Sequence, residues 1–382
     1  MKKLHVFLAL VLMSAAVFAQ TRHLRDADRF LKNNRLDRAV ASIRLAMAEP
    51  QNLENSNAWF SQAKIFTAVA TTRDPKFKNL EPNAIPLAFE SFQRAFDLDK
   101  SGFLKNISHT YIQSLSGAMY DRGTVLYSEQ NFAGAASAFR MSVDVNALID
   151  IIDTTSIFNV AICANMAGNR EMAKEHFKRL VDLRADQPMV YIYLAAMYHE
   201  DEENENAAKY ADLAAELFPE NYDVTINAAN IHLMLGNSER ASAILNAMTE
   251  RYADNPVVFF ALGVAYSQMN MPVLSEQAYL RAIELKEDYF DAIFNLAAFY
   301  VTVGADIKLE ADALPLSEQK KYDEMTEKSN VTFRKAIPML EKALELQPNN
   351  IPVMSTLRDI YVHLRMMDRA AELSAQIEKL GN

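Results

Sequence analysis

The chain has 382 residues, half of them hydrophobic, with only 9 glycines and 12 prolines. This composition excludes an intrinsically disordered chain, and the scarcity of glycine favours helices over turn-rich β structure. Asp and Glu outnumber Lys and Arg by 49 to 39, and no block of basic residues is present. Because counterion release by clustered cations drives nucleic-acid binding, we expect no nucleic-acid partner.

Residues 1–19 have the pattern of a secretory signal peptide. Two lysines precede an apolar run that extends only from Val6 to Phe18, and Ala19 ends an A-x-A-like cleavage site. A membrane-spanning helix needs about 20 residues, so a transmembrane anchor is the weaker interpretation. We predict cleavage after Ala19 and export, most simply to the periplasm, with secretion or surface association as alternatives. No cysteine directly follows Ala19 for lipid attachment, so we expect no covalent membrane anchor, and the mature chain carries a formal charge of −12.

Three helical hairpins are predicted in residues 20–150. Each has two small residues where its paired helices would approach, namely Ala27 and Ala39, Ala63 and Ala88, and Gly123 and Ala135. The two small residues of the second hairpin are about twice as far apart along the chain as those of the first and third. The additional residues are assigned to TTRDPKFKNLEPN at 71–83, whose composition predicts an inserted loop.

From Thr154 the sequence repeats with a fixed period of about 34 residues, which is typical of a stacked helical array. The repeats begin at Thr154, Pro188, Tyr222, Pro256 and Phe290. Position 8 of the repeat is always small, with Ala161, Ala195, Ala229, Gly263 and Ala297. Glycine costs a helix about 1 kcal/mol relative to alanine. Gly263 therefore indicates a position where two helices approach so closely that a larger side chain would separate them.

The fifth repeat is interrupted. It extends from Phe290 to Asn350, well beyond one period, which predicts an insertion near 305–331. The inserted sequence is charged and helical in character, so we expect the second helix of this repeat to begin early and project. Residues 351–382 then form a closing hairpin. Either the insertion or this last hairpin offers a surface for self-association.

The repeat pattern resembles that of the tetratricopeptide repeat family, in which small, aromatic and proline residues recur at these spacings. Two segments carry the resemblance best, FFALGVAYSQMNMPVLSEQAYLRAIEL and KAIPMLEKALELQPNN. The resemblance implies an all-α fold, specifically a right-handed α-solenoid of about nine helical hairpins. It also implies that residues 20–382 form a single superhelical array, in which each hairpin buries its apolar face on its neighbours.

The resemblance further implies a concave binding groove formed by positions 2, 5, 6, 9, 12 and 13 of the first helices. The candidate groove residues are Asn159, Asn227, Asn230, Asn295, Phe158, Tyr193, Phe260 and Phe294. The asparagines offer donors and acceptors to an extended ligand, although asparagine at these positions also serves local helix contacts, and both interpretations remain open. Positions 2, 5 and 6 lack Lys and Arg in all five repeats, which favours an internal segment or a protein surface over a free C-terminus.

The sequence offers no pattern for catalysis, for a cofactor or for a metal. No histidine after residue 19 has another histidine or a cysteine four residues away, as helical zinc sites require. The segment from Asp97 begins like a calcium-binding loop, but Ser108 stands where a bidentate glutamate is needed. We therefore expect no metal, no cofactor and no enzyme activity.

Three functions remain to be compared. The leading hypothesis is a non-catalytic protein–protein interaction scaffold of the bacterial cell envelope, whose partner is another exported or outer-membrane protein. The alternative is an envelope ligand-capture protein for glycans or nutrients, although this chain has neither a lipoprotein cysteine nor a large non-repeat domain. An enzyme is the third hypothesis, and it would require a carboxylate with a strongly shifted pKa in a deep pocket.

Overall fold

The computed structural model describes residues 22–381, so the predicted signal peptide and its cleavage site lie outside the described residues. Between residues 22 and 381 there is no strand, and 19 α-helices account for most of the chain. The all-α prediction is therefore confirmed. The helices form two compact units that divide between Gln187 and Pro188. A single right-handed array remains a prediction.

The N-terminal unit contains four helical hairpins and one short additional helix, α5. Its helices are α1 (22–32), α2 (Leu36–Met47), α3 (Ser56–Thr71), α4 (Ala84–Leu98), α5 (Phe103–Ile107), α6 (His109–Ser128), α7 (Phe132–Ala147), α8 (Thr154–Met166) and α9 (Arg170–Asp182). The small residues expected at the hairpin contacts are buried, including Ala27, Ala39, Ala63 and Ala88. Residues 72–83 are not helical, and Phe77 anchors them in the core of the unit.

The C-terminal unit contains five helical hairpins. Its helices are α10 (Met189–Glu200), α11 (Asn204–Leu217), α12 (Tyr222–Met234), α13 (Ser238–Met248), α14 (Pro256–Gln268), α15 (Pro272–Leu285), α16 (Phe290–Asp312), α17 (Gln319–Leu346), α18 (Ile351–His363) and α19 (Met367–Gly381). Each even-numbered helix is the first of its hairpin and packs against the odd-numbered helix that follows it.

The period of the sequence is visible in the turns between paired helices. Position 15 has a positive φ in four consecutive repeats, at Gly168, Glu202, Gly236 and Asn270, with φ between 54° and 78°. Gly304 occupies this position in the fifth repeat, but α16 continues through it without a turn. The insertion at 305–331 therefore begins where the other repeats reverse direction.

Side-chain caps define the starts of many helices. The side-chain oxygen of an Asn or Asp accepts a hydrogen bond from a backbone N–H in the first turn of seven helices, and the capping residues are Asn55, Asn131, Asp153, Asn169, Asn221, Asn255 and Asn350. Each such cap stabilises its helix by about 1 kcal/mol, because it satisfies an N–H group that has no partner within the helix.

Gly263 lies at the close approach that the sequence predicts. A Cβ atom built on Gly263 would lie 2.4 Å from the ring of Tyr279 on the paired helix α15. Ser275 of α15 also donates a hydrogen bond of 2.9 Å to the carbonyl oxygen of Gly263. Gly123 has the same relation to Phe139, whose ring would lie 2.8 Å from an added Cβ. Glycine at position 8 thus makes room for an aromatic ring at position 24.

The inserted residues 305–331 lengthen both helices of the fifth hairpin. The second helix begins early, as expected, but the first also continues to Asp312, so the two remain paired along their added length. Ser329 donates a hydrogen bond of 2.7 Å to the carbonyl oxygen of Gly304, and the ring of Phe333 covers this glycine. This repeats the Gly263 contact, and it lies two helical turns beyond the regular contact at Ala297.

Among residues 22–381, α16 is the one helix that is long and apolar enough to span a membrane by length and composition. Its buried residues include Ile293, Leu296 and Tyr300, which belong to the core that α15, α17 and α18 complete. The packing of its own repeat therefore accounts for the buried third of this apolar segment.

Candidate protein-binding face

The first helices of the C-terminal unit form one layer, because α10 contacts α12, α12 contacts α14, and α14 contacts α16. The second helices pack on these helices from the other side. We define the first-helix face as the side chains at positions 2, 5, 6, 9, 12 and 13 of α10, α12, α14 and α16. Six of the predicted groove residues lie on this surface. Asn230 is exposed, and the other five are half-buried, namely Asn227, Asn295, Phe260, Phe294 and Tyr193.

Two of the predicted asparagines make local helix contacts. The side-chain amide of Asn227 donates to the backbone carbonyl of Asp223 at 2.6 Å, and Asn295 donates to Asp291 at 2.8 Å. Since an amide carries two N–H groups and one oxygen, each asparagine retains one N–H and its oxygen for a ligand. Asn230 is exposed one turn beyond Asn227.

Asn159 and Phe158 belong to α8 of the N-terminal unit. The amide of Asn159 is half-buried and donates to the hydroxyl of Tyr120 at 3.3 Å. The ring of Phe158 is also half-buried and lies 6.2 Å from that of Phe177, in an edge-to-face arrangement. The use of these two residues as ligand contacts remains a prediction.

The residues at position 5 do not form a continuous apolar strip on this surface. Ile192 and Ile226 are each 6% exposed and belong to the core. Phe260 and Phe294, at the same position, are half-buried. Phe260 lies 5.4 Å from the ring of Tyr289, and Phe294 stacks on Phe290 at 6.0 Å.

Two apolar residues of the first-helix face were missed by the sequence analysis. Met234 at position 13 is 61% exposed, and Val257 at position 2 is 37% exposed. Both residues stand at positions that belong to the implied groove, so the repeat pattern could have identified them. They were not predicted because the candidates were chosen among recurring asparagines and aromatic rings rather than among single aliphatic side chains.

Position 11 has a role that packing patterns do not reveal. In three repeats the side chain at position 11 contacts an acidic residue on the second helix of the preceding repeat. That acidic residue also pairs with a basic residue at position 19, which lies on the second helix of the same repeat as the position 11 residue. These groups are His232 with Asp212 and Arg240, Tyr300 with Glu276 and Lys335, and Tyr361 with Glu341 and Arg369. Each group therefore links three helices of two adjacent repeats.

His232 is the most deeply buried titratable member of these groups. It is 1% exposed, and its Nε2 lies 3.2 Å from a carboxylate oxygen of Asp212 without the alignment of a hydrogen bond. Burial lowers the pKa of His232 below its ordinary value of 6.5, and nearby Arg240 acts in the same direction, whereas Asp212 opposes them. His232 is thus neutral in the folded protein at neutral pH.

We expect the C-terminal unit to lose stability as the pH falls below 6.5. His232 binds a proton more readily in the unfolded chain than in the fold, so acid favours the unfolded state. His363 has a pKa lowered by burial and contributes in the same sense. Urea unfolding at a series of pH values should give a smaller acid dependence for His232→Gln than for the natural chain. If the free energy of unfolding depends on pH identically in the two proteins, His232 does not carry this effect.

The part of the chain that the structure describes contains no group of three potential metal ligands. Its single cysteine, Cys163, is 1% exposed in α8, and burial raises the pKa of its thiol to about 11. A protonated, buried thiol is a poor nucleophile, so Cys163 serves packing.

Comparisons with known sequences give one match to a family. Residues 198–262 match the family model described as tetratricopeptide repeat. No curated protein sequence matches the chain at a significant level.

Solved structures are similar to the chain at low sequence identity. The C-terminal part of a TPR repeat-containing protein from Cytophaga hutchinsonii shares its fold, with a TM-score of 0.50 at 15% identity, over 68% of this chain and 95% of that one. MamA is similar with a TM-score of 0.39 at 16% identity, over 50% of this chain and 91% of its own. YrrB, described as a TPR protein with an unusual peptide-binding site, has a TM-score of 0.39 at 16% identity, over 54% of this chain and 97% of its own.

The matched segment extends from the end of α10 into α14, and the same small-residue contacts recur in the hairpins outside it. Residues 198–262 therefore match the tetratricopeptide repeat family, and the chain has a fold similar to that of the TPR repeat-containing protein from Cytophaga hutchinsonii.

Proposed function

We propose that the protein is a non-catalytic protein–protein interaction scaffold of the bacterial cell envelope. In this proposal, the first-helix face of residues 188–382 binds an extended segment or a folded surface of another exported or outer-membrane protein. Stacked helical repeats support this proposal, because they create the extended surfaces on which such proteins bind their partners.

The exposure of apolar side chains beside asparagine side chains is the observation that carries the proposal. Met234 and Val257 are exposed, Phe260 and Phe294 are half-exposed, and Asn230 lies near them on the same layer of helices. Protein interfaces combine such apolar contacts with a limited number of hydrogen bonds, and extended peptides bind through pockets for their side chains.

The proposed location depends on residues 1–19, whose pattern predicts export. Fractionation of cells that produce the full chain, compared with a chain that lacks residues 1–19, tests this part independently of binding. An intracellular location of the full chain would contradict export.

Partner capture provides the test of binding. The mature chain is immobilised and exposed to periplasmic and outer-membrane fractions, beside a variant with Met234→Ser and Val257→Ser. We expect a retained protein to be lost or strongly depleted on the variant, because two exposed apolar contacts are removed from the face.

A matched control changes Val273 and Leu280 to serine. These residues are 65% and 46% exposed, but they lie on the second helix α15. Equal circular dichroism spectra and melting midpoints are required of all three proteins. Loss of the partner on the control, with retention on the face variant, would contradict the proposed site.

A further inference from the structure

The charge of the protein is divided unevenly between the two units. Residues 22–187 contain 21 Lys and Arg against 19 Asp and Glu, whereas residues 188–382 contain 16 against 30. The C-terminal unit therefore has a formal charge of −14, and the N-terminal unit has +2. This asymmetry produces an electrostatic potential that attracts cations to the unit bearing the first-helix face.

The first-helix face itself has no cation. None of the residues at its defined positions in α10, α12, α14 and α16 is Lys or Arg. Asp223 and Asp291 occupy position 2 of α12 and α16, and both are exposed. Among residues 22–381, neither carboxylate has an ion pair or a side-chain hydrogen bond.

The polar groups beside these aspartates are rich in acceptors. Each aspartate is followed one turn later by Asn227 or Asn295, whose amide has already donated one N–H to the helix backbone. A carboxylate offers about four acceptor sites and an amide oxygen two, whereas only one N–H remains on each amide. Each pair of residues therefore suits a partner that brings donors.

Acidic residues also recur in the loops that lead into these helices. Glu220, Asp254 and Asp288 stand shortly before α12, α14 and α16 respectively, at the same position of successive repeats. Glu220 pairs with Arg251 at 2.8 Å, whereas Asp254 and Asp288 are exposed, with no ion pair in the described part of the chain. The negative charge is therefore distributed along the layer of first helices, with an acidic residue before each of α12, α14 and α16.

Apolar groups are interspersed with this charge. Val257 is exposed at position 2 of α14, between the two aspartates in the order of the repeats, and the rings of Phe260 and Phe294 are half-exposed. Arginine stacks on aromatic rings as well as pairing with carboxylates. The surface therefore complements a chain that alternates cationic and apolar side chains.

We propose that the first-helix face of the C-terminal unit binds an extended segment of another protein in which arginine or lysine alternates with apolar residues. This inference rests on the proposed function and adds the chemistry of the partner. Asp223 and Asp291 bind the cationic side chains, and Val257, Phe260 and Phe294 contact the apolar ones.

Defined peptides test the proposal by fluorescence anisotropy with the mature chain. The probe is a labelled dodecapeptide of repeated Ser-Arg-Val, and the comparison peptides replace Arg by Gln or by Glu. We expect the arginine peptide to bind most tightly and to weaken with added salt, because salt screens exposed charges.

Variants then locate the binding site. Asp223→Asn with Asp291→Asn should weaken binding of the arginine peptide about tenfold or more, because both carboxylates lose the charge that strengthens their hydrogen bonds to arginine. Glu239→Gln with Glu250→Gln removes the same charge from exposed positions in α13 and in the turn that follows it, and should change affinity by less than about twofold.

Three results would overturn the inference. They are equal binding of the glutamate and arginine peptides, an unchanged affinity of the Asp223 and Asp291 variant, and an equal loss in the Glu239 and Glu250 control. If no peptide binds while a captured protein still depends on Met234 and Val257, the scaffold proposal stands and the cationic partner is wrong. If capture also fails to depend on those residues, both proposals fail.

Discussion

Gly263→Ala is expected to destabilise the C-terminal unit by about 2 kcal/mol, although alanine is the better helix former by about 1 kcal/mol. The new Cβ would lie 2.4 Å from the ring of Tyr279, which is itself 3% exposed and enclosed by the core. Because the ring has no free space into which it can move, α14 and α15 must separate. Urea unfolding, followed by circular dichroism, measures the effect.

Two comparisons separate packing from helix propensity. Gly117 lies in the interior of α6, where an added Cβ meets nothing within 4 Å, so Gly117→Ala should stabilise its helix by about 0.5–1 kcal/mol. Tyr279→Leu should rescue Gly263→Ala, because Ala229 and Leu245 are the natural pair at the same two positions of the preceding repeat. Destabilisation of similar size in the Tyr279→Leu background would refute the steric explanation.

Much of the fold could be predicted from the sequence because a repeated unit presents the same contact several times. The small residue at position 8 recurs in five repeats, and in the four repeats without the insertion its partner at position 24 follows at a fixed distance along the chain. Gly263 therefore indicated a close approach, and the structure places Tyr279 against it. The continuation of α16 beyond Gly304 was not predicted, because it depends on pairing between two inserted segments that occur only once.

The candidate site was less predictable, because exposure depends on neighbouring repeats. Phe260 and Ile226 occupy the same position, but the phenylalanine is half-exposed and the isoleucine is buried. The sequence also left the role of the asparagines open, and the contact of Asn227 with the backbone of Asp223 is a matter of side-chain orientation. The link between His232 and Asp212 joins different helices, so no local pattern reports it.

Deletion of residues 305–331 is expected to leave the C-terminal unit folded, with the inserted part of its fifth hairpin removed. The deletion restores the regular repeat period, so Gly304 can adopt the positive φ that Gly236 and Asn270 have at this position. Thr332 then precedes the second helix and can cap it. Circular dichroism should show a loss of helix confined to the removed residues, with cooperative unfolding retained.

A deletion of residues 305–330, which removes one residue fewer, provides the control. We expect this control to have the larger effect on stability. The additional residue rotates the second helix by about 100° relative to the first. Ala336, Leu340 and Ala343, all buried in the natural chain, would then turn away from α16. Exposure of a buried leucine costs about 1.5–3 kcal/mol, and the whole contact face is displaced, so we expect a loss of more than about 3 kcal/mol. Equal stability of the two deletions would show that the packing register of α17 is set by something other than the repeat period, because the period is the property in which the two chains differ.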